Sequence, residues 1–131
     1  MRYFLSLISI LCLISCGHSP LVSHLQGSDS VAVIFKQPVT EAVIKVVGTA
    51  KPYAIKDLLT YTGARQTEQF KCGYDGEIIF YKKGIAAGQV SFNYKTNGCH
   101  HFLINNNGKL TATEMSNQAV DLLKALANET P

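Results

Sequence analysis

Short β-rich segments separated by turn signals are the feature that most restricts the fold of this chain. The clearest is QVSFNY (89–94), in which Val90, Phe92 and Tyr94 alternate with polar residues. A period of two is typical of a strand with one buried face and one solvated face. We therefore expect Phe92 to be buried and Asn93 to be exposed, in an antiparallel sheet with one face open to solvent.

The rest of the sheet is predicted from β-branched and aromatic content. Strands are expected at 31–36, 41–47, 77–81, 100–104 and 109–113, with a meander that begins near Phe70. Asp75-Gly76, Asn97-Gly98 and Asn107-Gly108 predict turns, because these dipeptides favour the tight turns of hairpins. The segment KKGIAAG (82–88) is expected to be a loop.

Two helices flank the meander. Pro52 suits a first helical turn, and the apolar spacing that follows predicts a helix over 52–62, ended by Gly63 in a left-handed conformation. Ser116 is a candidate N-cap for a second helix. Its apolar stripe follows a helical period and consists of Ala119, Leu122, Leu123 and Leu126.

These elements predict an α+β fold. The expected architecture is an antiparallel β-meander sheet with two helices packed on one face, in the order β-β-α-β-β-β-β-β-α. Residues 16–131 provide for one core and not for two.

The N-terminus predicts a secretory signal at residues 1–15. Arg2 supplies a positive charge, and the mostly apolar run that follows is shorter than the ~20 residues that span a bilayer. The run ends in Leu13-Ile14-Ser15-Cys16, which resembles the lipobox of bacterial lipoproteins. The resemblance implies cleavage before Cys16, a diacylglyceryl thioether on its sulfur and acylation of the new amino group. An ordinary secretory signal or a short buried helix is the alternative.

The lipobox resemblance also implies a location in the cell envelope, anchored to a membrane through Cys16. Gly17 stands where an aspartate would favour the inner membrane, so the outer membrane is favoured, with its periplasmic or surface side left open. Glycine and serine in 17–30 predict a flexible tether. The expected organisation is a signal peptide at 1–15, a lipidated N-terminus and tether at 16–30, and one α+β domain at 31–131.

Cys72 and Cys99 are the cysteines that follow Cys16 in the chain. Exported thiols meet an oxidising environment, so the simplest expectation is a disulfide between them. Two alternatives use the same sulfurs with His100 or His101: a zinc site, or a thiol nucleophile with a histidine base. Adjacent histidines in a strand point to opposite faces, so at most one could easily join both cysteines.

Composition and motifs restrict the function further. Without residues 1–15 the formal net charge falls from +3 to +2, since Arg2 is lost. The sequence has no basic run with interleaved aromatic residues, so nucleic-acid binding is not predicted. Asp75 and Glu77 are expected to be solvated carboxylates near a turn. No catalytic motif is evident and no cofactor is expected. The first hypothesis is a non-enzymatic binding domain for an envelope protein or glycan. The alternative is a small envelope enzyme or metal-binding protein.

One further resemblance covers much of the chain. The pattern FKCGYDGEIIFY, VSFNY, CHHFLI, GKL and MSNQAVDLLKAL, within about residues 43–127, resembles small bacterial lipoprotein domains of unassigned function. It implies an envelope location and supplies no catalytic residue.

Overall fold

The computed structural model describes residues 20–130, which form one seven-stranded antiparallel sheet with helices. The strands are β1 (Ser30–Lys36), β2 (Val43–Thr49), β3 (Gln66–Thr67), β4 (Gly76–Lys82), β5 (Ile85–Asn93), β6 (His101–Asn106) and β7 (Lys109–Glu114). The helices are an N-terminal 3₁₀ helix (Pro20–Leu25), α1 (Pro52–Thr62) and α2 (Asn117–Asn128). The predicted α+β class with an antiparallel sheet is confirmed, and no helix within 20–130 is long and apolar enough to cross a membrane.

The two α-helices begin and end where local chemistry favours it. α1 covers the predicted residues 52–62, with proline in its first turn. Gly63 ends it with φ −85°, so the expected left-handed conformation is wrong, and the Gly63 N–H instead donates to Leu59 O. Ser116 caps α2 as predicted, because its hydroxyl accepts a hydrogen bond from the Ala119 N–H at 3.2 Å.

The sheet order is β2-β1-β4-β5-β6-β7-β3. The predicted element order therefore differs in two places: a 3₁₀ helix precedes β1, and the strand after α1 is the two-residue β3 on β7, not a segment near Phe70. β2 also starts two residues later than expected, after Glu41 with φ +55°. Residues 68–75 instead form the loop that joins β3 to β4.

Two hairpins turn on residue pairs with positive φ. Asn107 and Gly108 have φ +52° and +83°, so the predicted turn is confirmed. Lys83 and Gly84 have φ +50° and +76° and join β4 to β5 in the same manner, so the loop expected over 82–88 is wrong. Positive φ at both central residues matches the twist of the flanking strands, which lets β5 begin at Ile85.

One face of the sheet is buried against the helices. A row of directly paired residues crosses four strands, each at most 1% exposed: Val33, Ile78, Val90 and Ile104. Leu58 of α1 and Leu123 of α2 belong to the same buried cluster. Phe92 is fully buried in the next row, as predicted, with its ring 5.7 Å from that of Phe35.

Asp75-Gly76 does not form the predicted turn. Gly76 begins β4 under the Phe92 ring, where a Cβ atom would lie 2.6 Å from Phe92 Cζ, so glycine is required by this close approach. Asp75 is 1% exposed, and its carboxylate accepts hydrogen bonds from the N–H groups of Tyr94 and Lys95 at 2.8 and 2.9 Å. The expectation of a solvated carboxylate is therefore wrong, because Asp75 satisfies backbone donors where β5 ends.

Asn93 is 1% exposed, so its predicted exposure is also wrong. Its side-chain amide donates to the carbonyls of Cys72 and Gly73 at 3.3 and 3.1 Å. Glu77 is more shielded than expected as well, with an ion pair to Lys36 at 2.8 Å. The alternation in β5 correctly separates the two faces, but the loop at 68–75 covers part of the face expected to be open.

The described part of the predicted tether is folded. Val22 and Leu25 of the 3₁₀ helix are 1% and 0% exposed and belong to the core. Leu25 fills the space above Gly88, where a Cβ atom would lie 2.5 Å from Leu25 Cδ2. Burial of these two apolar side chains orders a segment whose glycine and serine content predicted flexibility. The folded domain therefore includes Pro20 and the residues that follow it.

Candidate functional site

The Cys72–Cys99 pair lies at the end of the sheet where β4 and β6 begin. Cys72 lies in the loop before β4, and Cys99 lies in the connection between β5 and β6. Their Cα atoms are 6.2 Å apart, which fits the predicted disulfide. Because a disulfide leaves no thiolate, neither sulfur in this state can act as a nucleophile or a metal ligand.

His101 lies beneath the loop that carries Cys72. Its ring is fully buried, with centroids 5.3 Å from Phe70 and 5.6 Å from Tyr74. Nδ1 lies 2.5 Å from the Cys99 carbonyl oxygen and donates to it, which leaves Nε2 buried with no hydrogen-bond partner in the described structure. Burial also raises the pKa of the Tyr74 phenol, so this group stays protonated. The surroundings of His101 are those of an aromatic core residue.

His100 lines a shallow cleft of about 300 Å³. The other lining residues are Thr67, Phe70, Gly98, Glu114 and Met115. Backbone hydrogen bonds hold the two sides together, since the Met115 N–H donates to His100 O at 3.3 Å and the Glu114 N–H donates to Arg65 O at 2.8 Å. We call this the Cys99 cleft, because Cys99 lies in the chain between two of its lining residues, Gly98 and His100.

The Glu114 carboxylate in the Cys99 cleft is already paired. Arg65 donates to it in a forked arrangement, from Nη2 to Oε1 at 2.7 Å and from Nε to Oε2 at 3.1 Å. These hydrogen bonds raise the pKa of Arg65 further. The cleft thus presents an imidazole, an aromatic ring, a thioether and a neutralised carboxylate, which suits apolar contact and hydrogen bonding to a ligand.

The structure does not assemble the alternative zinc or thiol site. Within residues 20–130, no three His, Cys, Asp or Glu side chains are grouped so that they could hold a metal ion. Cys72 and Cys99 bond to each other, His101 donates to a backbone carbonyl, and His100 faces the cleft. His101 is fully buried in β6, whereas His100 precedes that strand and lines the cleft.

Several residues of the cleft could not be predicted from the sequence. Phe70, Glu114 and Met115 carried only a local signal: Phe70 is two residues before Cys72, and Glu114-Met115 precede the Ser116 cap. Proximity to a predicted disulfide and to a helix cap would have suggested that these segments meet.

The predicted lipidation site, Cys16, and the predicted signal at 1–15 lie outside the described residues. The described chain begins four positions after Cys16, at Pro20. The anchor therefore stays a prediction from the sequence.

The chain matches no protein-family model, no curated protein and no solved structure.

Proposed function

We propose that this protein is a lipid-anchored protein of the cell envelope, whose folded domain binds another envelope component through the Cys99 cleft. The observation that carries the proposal is the Cys72–Cys99 pair at disulfide distance beside that cleft. Disulfides form and persist in exported proteins and are rare where thiols are kept reduced. The pair therefore supports export, and Cys99 lies in the chain between Gly98 and His100, two residues that line the cleft.

The N-terminal sequence supports the anchor. Export through a signal at 1–15 and lipidation of Cys16 would attach several acyl chains. One chain binds a membrane weakly, whereas two or more hold a protein there stably. Gly17 favours the outer membrane within this proposal.

Binding is a better explanation of the cleft than catalysis. Catalysis by Cys72 or Cys99 with His100 or His101 would require reduced sulfurs, and here the sulfurs face each other. Glu114 is engaged by Arg65 and is not a free general base. An envelope protein is the favoured partner, and a glycan is the alternative.

Cys16→Ala is expected to abolish acylation and leave precursor or unanchored protein, because only the cysteine thiol can take the thioether. Membrane fractionation with intact-mass measurement of the N-terminal peptide checks this. A processed, acylated variant in the membrane fraction would contradict the anchor.

His100→Ala is expected to reduce recovery of a cross-linked envelope partner about fivefold or more, because loss of a specific contact in a binding cleft costs roughly 1 kcal/mol or more. The measurement is mild cross-linking in cells, purification of the full chain and quantification of the adduct. Lys124→Ala, an exposed change on α2, is the control and should leave recovery unchanged. Equal recovery with both variants would exclude the cleft as the binding surface, and a protease-resistant adduct would make the partner a glycan.

A further inference from the structure

The two ends of the sheet differ in chemistry, and the chain enters at one of them. We define the proximal end as the end where β1 begins, β2 and β4 end, and the β4–β5 and β6–β7 hairpins turn. The register places these parts together: Val31 pairs with Thr49, Ser30 with Tyr81, and Asn106 with Lys109. The Cys99 cleft lies at the opposite, distal end.

The N-terminal 3₁₀ helix is fixed to the proximal end. Lys82 Nζ donates to the His24 carbonyl at 2.9 Å, and the Asp29 N–H donates to Tyr81 O at 2.9 Å. Leu25 is packed on Gly88 of β5, close to the β4–β5 hairpin. Pro20, the described residue nearest to Cys16 in the sequence, belongs to this helix.

The anchor proposed above lies a short distance along the chain from this point. Pro20 is four positions after Cys16, and four residues of fully extended chain span at most about 14 Å. This upper limit is less than two Debye lengths at physiological ionic strength, where one Debye length is about 8 Å. Lipidation of Cys16 would therefore hold charges at the proximal end within reach of the headgroup layer.

The proximal end carries lysines that form no ion pair with a carboxylate of the described residues. Lys51, Lys83 and Lys109 are exposed, and Lys82 is half-buried beside them. Among residues 20–130, both ion pairs involve cations at the distal end, Lys36 with Glu77 and Arg65 with Glu114.

Asp29 offsets part of this positive charge. Its carboxylate accepts a hydrogen bond from the Lys83 N–H at 2.7 Å, which lowers the pKa of Asp29 and keeps it ionised. The lysines outnumber it at this end, so the proximal end stays positive.

Apolar side chains stand among these lysines. Ile85, at the tip of the β4–β5 hairpin, is 74% exposed, and Tyr53, in the first turn of α1, is 64% exposed. Tyrosine and aliphatic side chains beside lysines are typical of surfaces that lie in the headgroup region of a membrane. A second copy of the chain is a poor occupant, because it would oppose lysines to lysines.

We propose that the proximal end docks on the membrane surface and binds anionic lipid headgroups, with Lys51, Lys83 and Lys109 as the charge contacts and Ile85 and Tyr53 at the interface. This inference rests on the proposed anchor at Cys16. It gives the anchored domain one orientation, in which the Cys99 cleft faces away from the membrane.

The test uses the full processed chain in vesicles of phosphatidylcholine, alone or with about 30% phosphatidylglycerol, a content chosen for a strongly negative surface. Lysines are acetylated with a soluble reagent and their rates are read by mass spectrometry. Each lysine near an anionic surface strengthens binding to it about fivefold. Acetylation of Lys51, Lys83 and Lys109 is therefore expected to slow about fivefold or more in the anionic vesicles, because docked lysines are shielded from the reagent. Lys71 and Lys124, exposed away from this end, are internal controls that should keep their rates.

Two charge-reversal variants make the result specific. Lys83→Glu/Lys109→Glu should restore the Lys51 rate to its value on neutral vesicles. Lys71→Glu/Lys124→Glu, with the same change in net charge, should leave Lys51 protected. An acylated chain whose Lys51, Lys83 and Lys109 react equally on both vesicles overturns the docking alone. A chain whose N-terminal peptide lacks the acyl mass overturns the anchor and the docking together.

Discussion

Phe92→Ala is expected to lower the free energy of unfolding by about 3–5 kcal/mol, the usual cost of removing a fully buried aromatic ring. Phe92 is 0% exposed and packs edge-on against Phe35, with Tyr94 at 5.8 Å. The ring also lies over Gly76, which has no side chain to fill the cavity. Urea unfolding followed by far-UV circular dichroism measures the loss.

Ile85→Ala provides the matched control, because this aliphatic side chain of the same strand is 74% exposed. Its substitution should change the free energy of unfolding by less than about 0.5 kcal/mol. A loss below about 1 kcal/mol for Phe92→Ala would show that β5 does not present this face to the core.

Cys72→Ser/Cys99→Ser is expected to lower the free energy of unfolding by about 3–4 kcal/mol, because the crosslink restricts the unfolded chain over a separation of 27 residues. This is a large part of the roughly 5–15 kcal/mol that stabilises a typical domain. The same unfolding measurement applies, with thiol titration of the intact protein to establish that the parent chain is oxidised.

Reduction supplies the control for this variant. A reducing agent should bring the parent chain close to the stability of Cys72→Ser/Cys99→Ser and should not affect the variant itself. The variant should still yield the cross-linked partner below its unfolding transition. Loss of that adduct with the fold intact would assign chemistry to the sulfurs, and the enzyme or metal alternative would replace the binding proposal.

The direction of the strands places the proposed anchor and the proposed cleft at opposite ends of the sheet. In an antiparallel sheet each strand runs opposite to its neighbour, so alternate turns lie at the same end. The β4–β5 and β6–β7 turns therefore share one end. The other end collects the connections that carry Cys72 and Cys99. A lipid at Cys16 would thus separate membrane contact from partner binding by the length of the sheet.

Local sequence determined the elements whose boundaries depend on near neighbours. Pro52 begins α1 and Ser116 caps α2 through contacts within one turn. Asn107-Gly108 forms its hairpin because asparagine and glycine adopt positive φ more readily than other residues. The alternation in β5 assigned Phe92 to the core face for the same reason, since a strand turns each successive side chain to the other side.

Only part of the candidate site could be predicted from the sequence. Cys72 and Cys99 could be paired by counting cysteines after Cys16. Their neighbourhood could not be predicted, because the Cys99 cleft combines Thr67, His100 and Glu114 from three strands or their connections. Local periodicity contains no information on which segments meet at an end of a sheet.

Only the tertiary structure decided which polar residues are buried and where the domain begins. Asn93 and Asp75 look solvated from their own neighbours in sequence, yet each supplies hydrogen bonds between the 72–75 segment and the end of β5. Leu25 lies in a glycine- and serine-rich stretch, yet it fills the gap above Gly88 of a distant strand. Burial depends on which distant parts of the chain pack together. A polar group can be buried when a distant segment satisfies its hydrogen bonds, and a short apolar stretch joins the core when a distant strand completes its packing.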